Sequence, residues 1–148
     1  MTSRPISVRL VATLALAAGL ATAARADDAA ALAAAAKEPG AVVSASGVVF
    51  KSIKEGTGPS PTAADKVKVN YRGSFTDGKV FDESRDGPIS FPLRGVIPCW
   101  TEGVQKLKVG GKAKLTCPSA VAYGPRGAGG VIPPNATLVF EVELLAIN

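Results

Sequence analysis

Lys66-Val67-Lys68-Val69-Asn70-Tyr71-Arg72 sets apolar side chains at every second position between charged or polar ones. That is the period of a strand with one buried and one wet face. The rhythm returns twice. Ala113, Leu115 and Cys117 alternate with Lys112, Lys114 and Thr116, and Leu138, Phe140, Val142 and Leu144 alternate with Thr137, Val139, Glu141 and Glu143. Phe91 and Leu93 predict a shorter strand around Pro92, and Gly47 to Lys54 a further one that runs into Gly56-Thr57-Gly58-Pro59. One-sided alternation belongs to antiparallel sheets. Only Ile97 to Leu107 reads as helix in this region, with Pro98 suited to a first turn and Trp100, Val104 and Leu107 at helical spacing. The expected fold class is therefore α+β, an antiparallel sheet of about five strands served by one short helix.

Turn signals separate these segments at Thr76-Asp77-Gly78, Asp86-Gly87-Pro88 and Val109-Gly110-Gly111. The stretch from Gly124 to Pro134 is too long for a hairpin turn and too rich in Gly and Pro for a helix. Loops of that size in a compact domain usually carry function or are disordered.

Toward the N-terminus the character of the chain changes. Arg4 and Arg9 precede the apolar run Leu10 to Ala24, and Ala24-Arg25-Ala26 supplies the small residues that a signal peptidase accepts. Residues 1–26 are expected to be a secretory signal peptide, because the run is short for a membrane span. Residues 27–46 hold an alanine block broken by Pro39-Gly40 and few large apolar side chains, so a frayed helix or flexible Ala-rich spacer is expected there. No heptad stripe for a dimerisation arm is present, which favours a monomer. The working domain is expected over residues 47–148.

Composition removes several functions. The chain contains no histidine, so a Ser-His-Asp triad, a histidine-based zinc site and an imidazole proton shuttle are excluded. Two cysteines alone make a poor metal site, and no glycine pattern for phosphate binding is present, so neither metal nor cofactor is expected. Loss of Arg4, Arg9 and Arg25 with the leader would lower the formal charge of +5 by three. So mild a charge does not argue for nucleic acid.

Tyr71, Phe81, Trp100 and Phe140 fall on four separate elements, placed either to fill one core or to wall one pocket. Asp82 follows Phe81 directly, and Tyr123 stands in the glycine-rich loop, which puts polar groups beside the rings. By themselves an aspartate such as Asp82 more often serves as a turn or cap residue, and a tyrosine such as Tyr123 more often as a loop anchor.

Val69-Asn70-Tyr71-Arg72-Gly73, Asp77 to Ser84 (DGKVFDES), Val96 to Gly103 (VIPCWTEG), Ala122-Tyr123-Gly124 and Ile132 to Phe140 (IPPNATLVF) resemble, in order and spacing, the FKBP-type peptidyl-prolyl cis-trans isomerases of the secreted or periplasmic bacterial type. The resemblance covers nearly all of residues 47–148. It implies a curved antiparallel sheet wrapping a short helix, with a pocket between them. It also implies that Trp100 forms the pocket floor, that Tyr71, Phe81, Val96, Ile97 and Phe140 form walls, and that the loop carrying Val131 and Ile132 overhangs them. The Ile97 N–H and the Tyr123 hydroxyl would hold substrate carbonyls, and Asp82 would orient the polar edge. Ile89 stands where the family often has an aromatic ring, which predicts a thinner wall. Cys99 replaces a glycine common before the tryptophan, and the Leu93 to Val96 segment is shorter than in single-domain eukaryotic members.

The implied activity is isomerisation of X–Pro bonds in folding proteins, without cofactor or metal, by non-covalent binding of the twisted imide. The implied partners are proline-containing polypeptides and macrolide inhibitors such as rapamycin. The alternative is a prolyl-peptide-binding module or holdase chaperone with incidental turnover. Secretion would put Cys99 and Cys117 in an oxidising periplasmic compartment, where an even pair can form a disulfide. Two small buried thiols are the other possibility.

Overall fold

The computed structural model describes residues 28–148. Seven strands form one antiparallel sheet: β1 (Ala41–Val43), β2 (Val49–Lys54), β3 (Lys66–Phe75), β4 (Val80–Glu83), β5 (Ile89–Pro92), β6 (Lys112–Cys117) and β7 (Leu138–Ile147). Their order is β1-β2-β6-β7-β3-β4, with β5 also paired to β3. The expected class is found, with β1 and β4 added to the five strands read from the sequence. Both are too short, at three and four residues, for a two-residue period to stand out.

β3 organises the sheet. One edge pairs along its whole length with β7, while the other is divided between β5, opposite residues 66–69, and β4, opposite residues 72–74. Register shifts interrupt the β2–β6, β3–β4 and β3–β7 ladders. Each such irregularity bends its strand and sharpens the local twist.

The alternation holds in space. Val67 and Val69 of β3, Ala113 and Leu115 of β6, and Leu138, Val142 and Leu144 of β7 are buried on the inner face. They share a core with Cys99, Trp100 and Val104 of the helix α2 (Pro98–Val104). Burial of side chains this size is worth about 1.5–3 kcal/mol each, which makes this face the main support of the fold. Pro98 starts α2, where its missing N–H costs nothing. Gly103 lets α2 lie close on β6: a Cβ there would come within 2.7 Å of Leu115 Cδ2. Cys99 and Cys117, both fully buried, are joined by a disulfide with their Cα atoms 5.9 Å apart, so the start of α2 is tied covalently to the end of β6.

The segment expected as a frayed helix or spacer carries regular structure. A helix, α1, covers residues 28–36 of the described chain, and β1 then pairs with β2. Ala35 is buried, and Ala31, Ala34 and Ala35 face Thr116 and Val139 on the outer side of the sheet across a cavity of about 280 Å³. Glu38 accepts hydrogen bonds from Lys114 (2.7 Å) and Lys51 (3.2 Å), and the Thr76 hydroxyl donates to Asp28 (3.3 Å). Alanine composition concealed this docking, because what holds the segment is strand pairing and paired charges more than apolar bulk. The expected signal peptide, residues 1–26, lies outside the described residues. Among the described residues no helix is long and apolar enough to cross a membrane.

Candidate functional site

Between α2 and the inner face lies a cavity of about 480 Å³, within the range that holds small ligands. Trp100 and Phe140 are its most buried aromatic walls, each 4% exposed. Tyr71, Phe91 and Phe140 stand edge-on around the indole with ring centroids 5.2, 5.5 and 5.5 Å away and interplanar angles of 80°, 83° and 88°. Phe81 meets Phe140 in the same manner at 5.7 Å. Such edge-to-face pairs add about 0.5–1.5 kcal/mol beyond area burial, so the rings brace one another. The indole Nε1 is buried with no partner among the described residues. Folded interiors rarely leave such a donor unpaired, which sets this position apart from ordinary core.

Phe81 and Asp82 are consecutive on β4, and in a regular strand they would point to opposite faces. Both line the cavity. The β3–β4 register shift explains this: Asp82 opposes Gly73 and Val80 opposes Ser74, which leaves Phe81 as the extra residue of a bulge. Gly73 makes the room. A Cβ there would lie 2.7 Å from both Phe81 Cζ and Phe140 Cε1.

Polar groups gather at one edge. The Tyr71 hydroxyl donates to Asp82 Oδ2 at 2.7 Å. Burial, then this hydrogen bond and the nearby Asp82 charge, push the Tyr71 phenol up to about 12, so it remains a protonated donor at neutral pH. Ser84, the residue after β4, fixes the backbone of Tyr71: its N–H donates to the Tyr71 carbonyl and its Oγ accepts from the Tyr71 N–H, both at 3.0 Å. The Ile97 N–H, just ahead of α2, and the Tyr123 hydroxyl make no hydrogen bond among the described residues, and both residues line the cavity. The Gly95–Ile97 wall is anchored from behind, where the Thr101 hydroxyl donates to the Leu93 carbonyl at 2.7 Å.

Of the residues singled out from sequence, the fold brings together Tyr71, Phe81, Asp82, Val96, Ile97, Trp100, Tyr123 and Phe140 around the cavity. Three are elsewhere. Ile89 is exposed on β5 and does not line the cavity; Phe91, two residues on and opposite Val67, supplies the ring instead. Ile132 is drawn into the core by a narrow bridge to Ala128, with N–H to carbonyl distances of 2.9 and 3.0 Å in the two directions. Val131, at the tip of that turn, is 58% exposed and outside the lining. Phe91 and Gly95 were missed as wall residues. The inward phase of Phe91 on β5 was the available signal.

Comparison with known proteins follows the same lines. Residues 58–145 match the family signature of the FKBP-type peptidyl-prolyl cis-trans isomerases. The chain is 52% identical over 115 residues to the FKBP-type peptidyl-prolyl cis-trans isomerase FkpA of Escherichia coli, which covers 76% of this chain and 42% of that protein. It thus spans less than half the length of that relative. It is 53% identical over 106 residues to FK506-binding protein 1 of Dictyostelium discoideum, with 99% of that protein covered. A crystal structure of a peptidyl-prolyl cis-trans isomerase from Pseudomonas syringae superposes with a TM-score of 0.78 at 36% identity, covering 100% of this chain and 99% of that one. By signature, by identity and by fold, the chain belongs to the FKBP-type peptidyl-prolyl cis-trans isomerase family.

Proposed function

We propose that this chain accelerates cis-trans isomerisation of X–Pro bonds in folding polypeptides, as a peptidyl-prolyl isomerase of the class its family is named for. Resonance opposes rotation about the peptide bond with a barrier of about 18–20 kcal/mol, which makes X–Pro exchange slow. No covalent bond need break. A cavity that binds the twisted imide more tightly than either planar isomer lowers the barrier by the difference, tenfold for each ~1.4 kcal/mol. The observation that carries this reading is the braced indole: a flat, apolar surface flanked by three rings suits a pyrrolidine ring and would exclude water from the imide.

In this reading the Ile97 N–H and the Tyr123 hydroxyl hold substrate carbonyls. Asp82 holds the Tyr71 ring by its 2.7 Å hydrogen bond and shapes the field at the polar edge. No proton is transferred, so a site without histidine or an activated nucleophile is sufficient. The natural substrates are prolyl segments of proteins, and rapamycin-like macrolides would compete for the same cavity. The leader would end at Ala26 and deliver a monomer to the periplasm, where the disulfide forms; intact-mass and solution-mass measurements test those two points.

The deciding experiment is an isomerisation assay on a short X–Pro peptide with and without rapamycin. Rate enhancement that the macrolide suppresses is expected, reduced but not abolished by Asp82→Ala. Tight peptide binding without acceleration would instead assign the cavity to a binding module or holdase.

A further inference from the structure

A second depression runs along the outer side of α2, with a volume of about 590 Å³, and its walls include Arg94, Val96, Pro98, Thr101 and Lys106. Val96 lines both this groove and the aromatic cavity, so the two meet at that residue. From the geometry we infer that the groove takes the residues that follow proline in a bound substrate, and that Arg94 selects an acidic side chain there. This inference rests on the isomerase reading above.

The path follows from the wall. Ile97 presents a free N–H at the rim of the cavity, immediately before α2. A peptide whose prolyl carbonyl accepts that hydrogen bond, with its ring on Trp100, continues past Val96, and the groove lies on the other side of Val96. The floor suits an extended chain: Val96 and Pro98 are apolar, and the segment beneath is held by the 2.7 Å bond from Thr101 to the Leu93 carbonyl.

Charge decides the side chain. Arg94 is exposed on the short 3-10 turn Leu93–Gly95 and forms no ion pair among the described residues. Lys106 is a second exposed cation of the groove. The one carboxylate there, Glu102, accepts a 2.6 Å hydrogen bond from Ser46 through Oε2, while its Oε1 is buried without a partner among the described residues; its charge acts on Lys106, which leaves Arg94 as the cation for a substrate carboxylate. A guanidinium on a turn fixed from below offers a carboxylate a paired, planar contact that a neutral side chain cannot use.

The test compares two blocked peptides identical except for Glu or Gln two residues after proline. Turnover of the Gln peptide tests isomerase activity alone. The Glu peptide should show a kcat/KM about two- to fivefold higher at low ionic strength, carried by KM and shrinking as salt is added. Arg94→Glu should bring the Glu/Gln ratio to one or below, and Arg94→Ala should bring it toward one. A wild-type ratio of one, a ratio untouched by Arg94→Glu, or an equal gain from Glu placed before proline would overturn the inference and leave the isomerase reading standing. Failure to turn over either peptide would remove both.

Discussion

α2 and α1 press on opposite faces of one sheet and are held there by different forces. Against the inner face, α2 brings Trp100, Val104 and a glycine that permits close approach, and a buried disulfide closes its first turn onto β6. Against the outer face, α1 brings alanines, and the segment that follows is held by β1 pairing and by Glu38 between two lysines. The first arrangement is apolar and covalently fixed; the second leans on strand pairing and partly exposed charges. The cavity lies on the inner side, between α2 and the sheet. The proposed preference for one imide geometry would need rings locked by packing, whereas exposed ion pairs contribute little and yield to salt.

The strongest blow to that contrast is Trp100→Ala. Loss of the indole should destabilise the domain by about 3–5 kcal/mol in urea unfolding, as removal of a buried aromatic does, with Trp100→Phe recovering part of it. A cost near that of an alanine change on the outer face would erase the distinction. Next comes the covalent tie. Replacing Cys99 and Cys117 by serine together opens a loop of sequence separation 18, and a stability loss of about 3 kcal/mol is expected from the freed unfolded chain. Thiol reductant should lower the wild-type unfolding midpoint and leave the double variant unmoved.

A pH titration probes the inner face directly. With Tyr123→Phe, Tyr71 becomes the only tyrosine of the chain, and ultraviolet absorbance should place its ionisation above the ordinary 10.0, short of the intact site's value of about 12 because the Tyr123 charge that helps raise it is gone. Because the intact site's folded value lies above the ordinary 10.0, the associated stability is fully present below pH 10 and is lost as pH rises through about 12. Asp82→Asn should return part of the shift, and burial should keep the rest.

The smallest effect belongs to the outer face. Glu38→Ala should cost about 0.2–1 kcal/mol at low salt and close to nothing at high salt. Hydrogen bonds from Lys114 and Lys51 hold the Glu38 carboxyl below its ordinary 4.5. Its contribution is therefore present above that pH and lost as pH falls through the folded value. A salt-insensitive loss would mean that α1 is packed as α2 is.

Much of this was legible in one dimension. Alternation along residues 66–72, 112–117 and 137–144 told which side chains face inward, since a two-residue period is local and survives whatever the strand pairs with. Pro98 marked the start of α2 for an equally local reason. Ring and polar residues in recognisable order named most of the cavity wall.

Other features belong to the fold alone. The bulge that turns both Phe81 and Asp82 inward depends on how β4 meets β3, and the exchange of Ile89 for Phe91 depends on where β5 ends. Ile132 enters the core beside a backbone bridge to Ala128, a pairing that no local period announces. α1 docks because Lys51 and Lys114, distant in sequence, arrive side by side on paired strands. Sequence period encodes the face a residue takes; register, bulges and charge pairing between remote strands decide which neighbours it meets there.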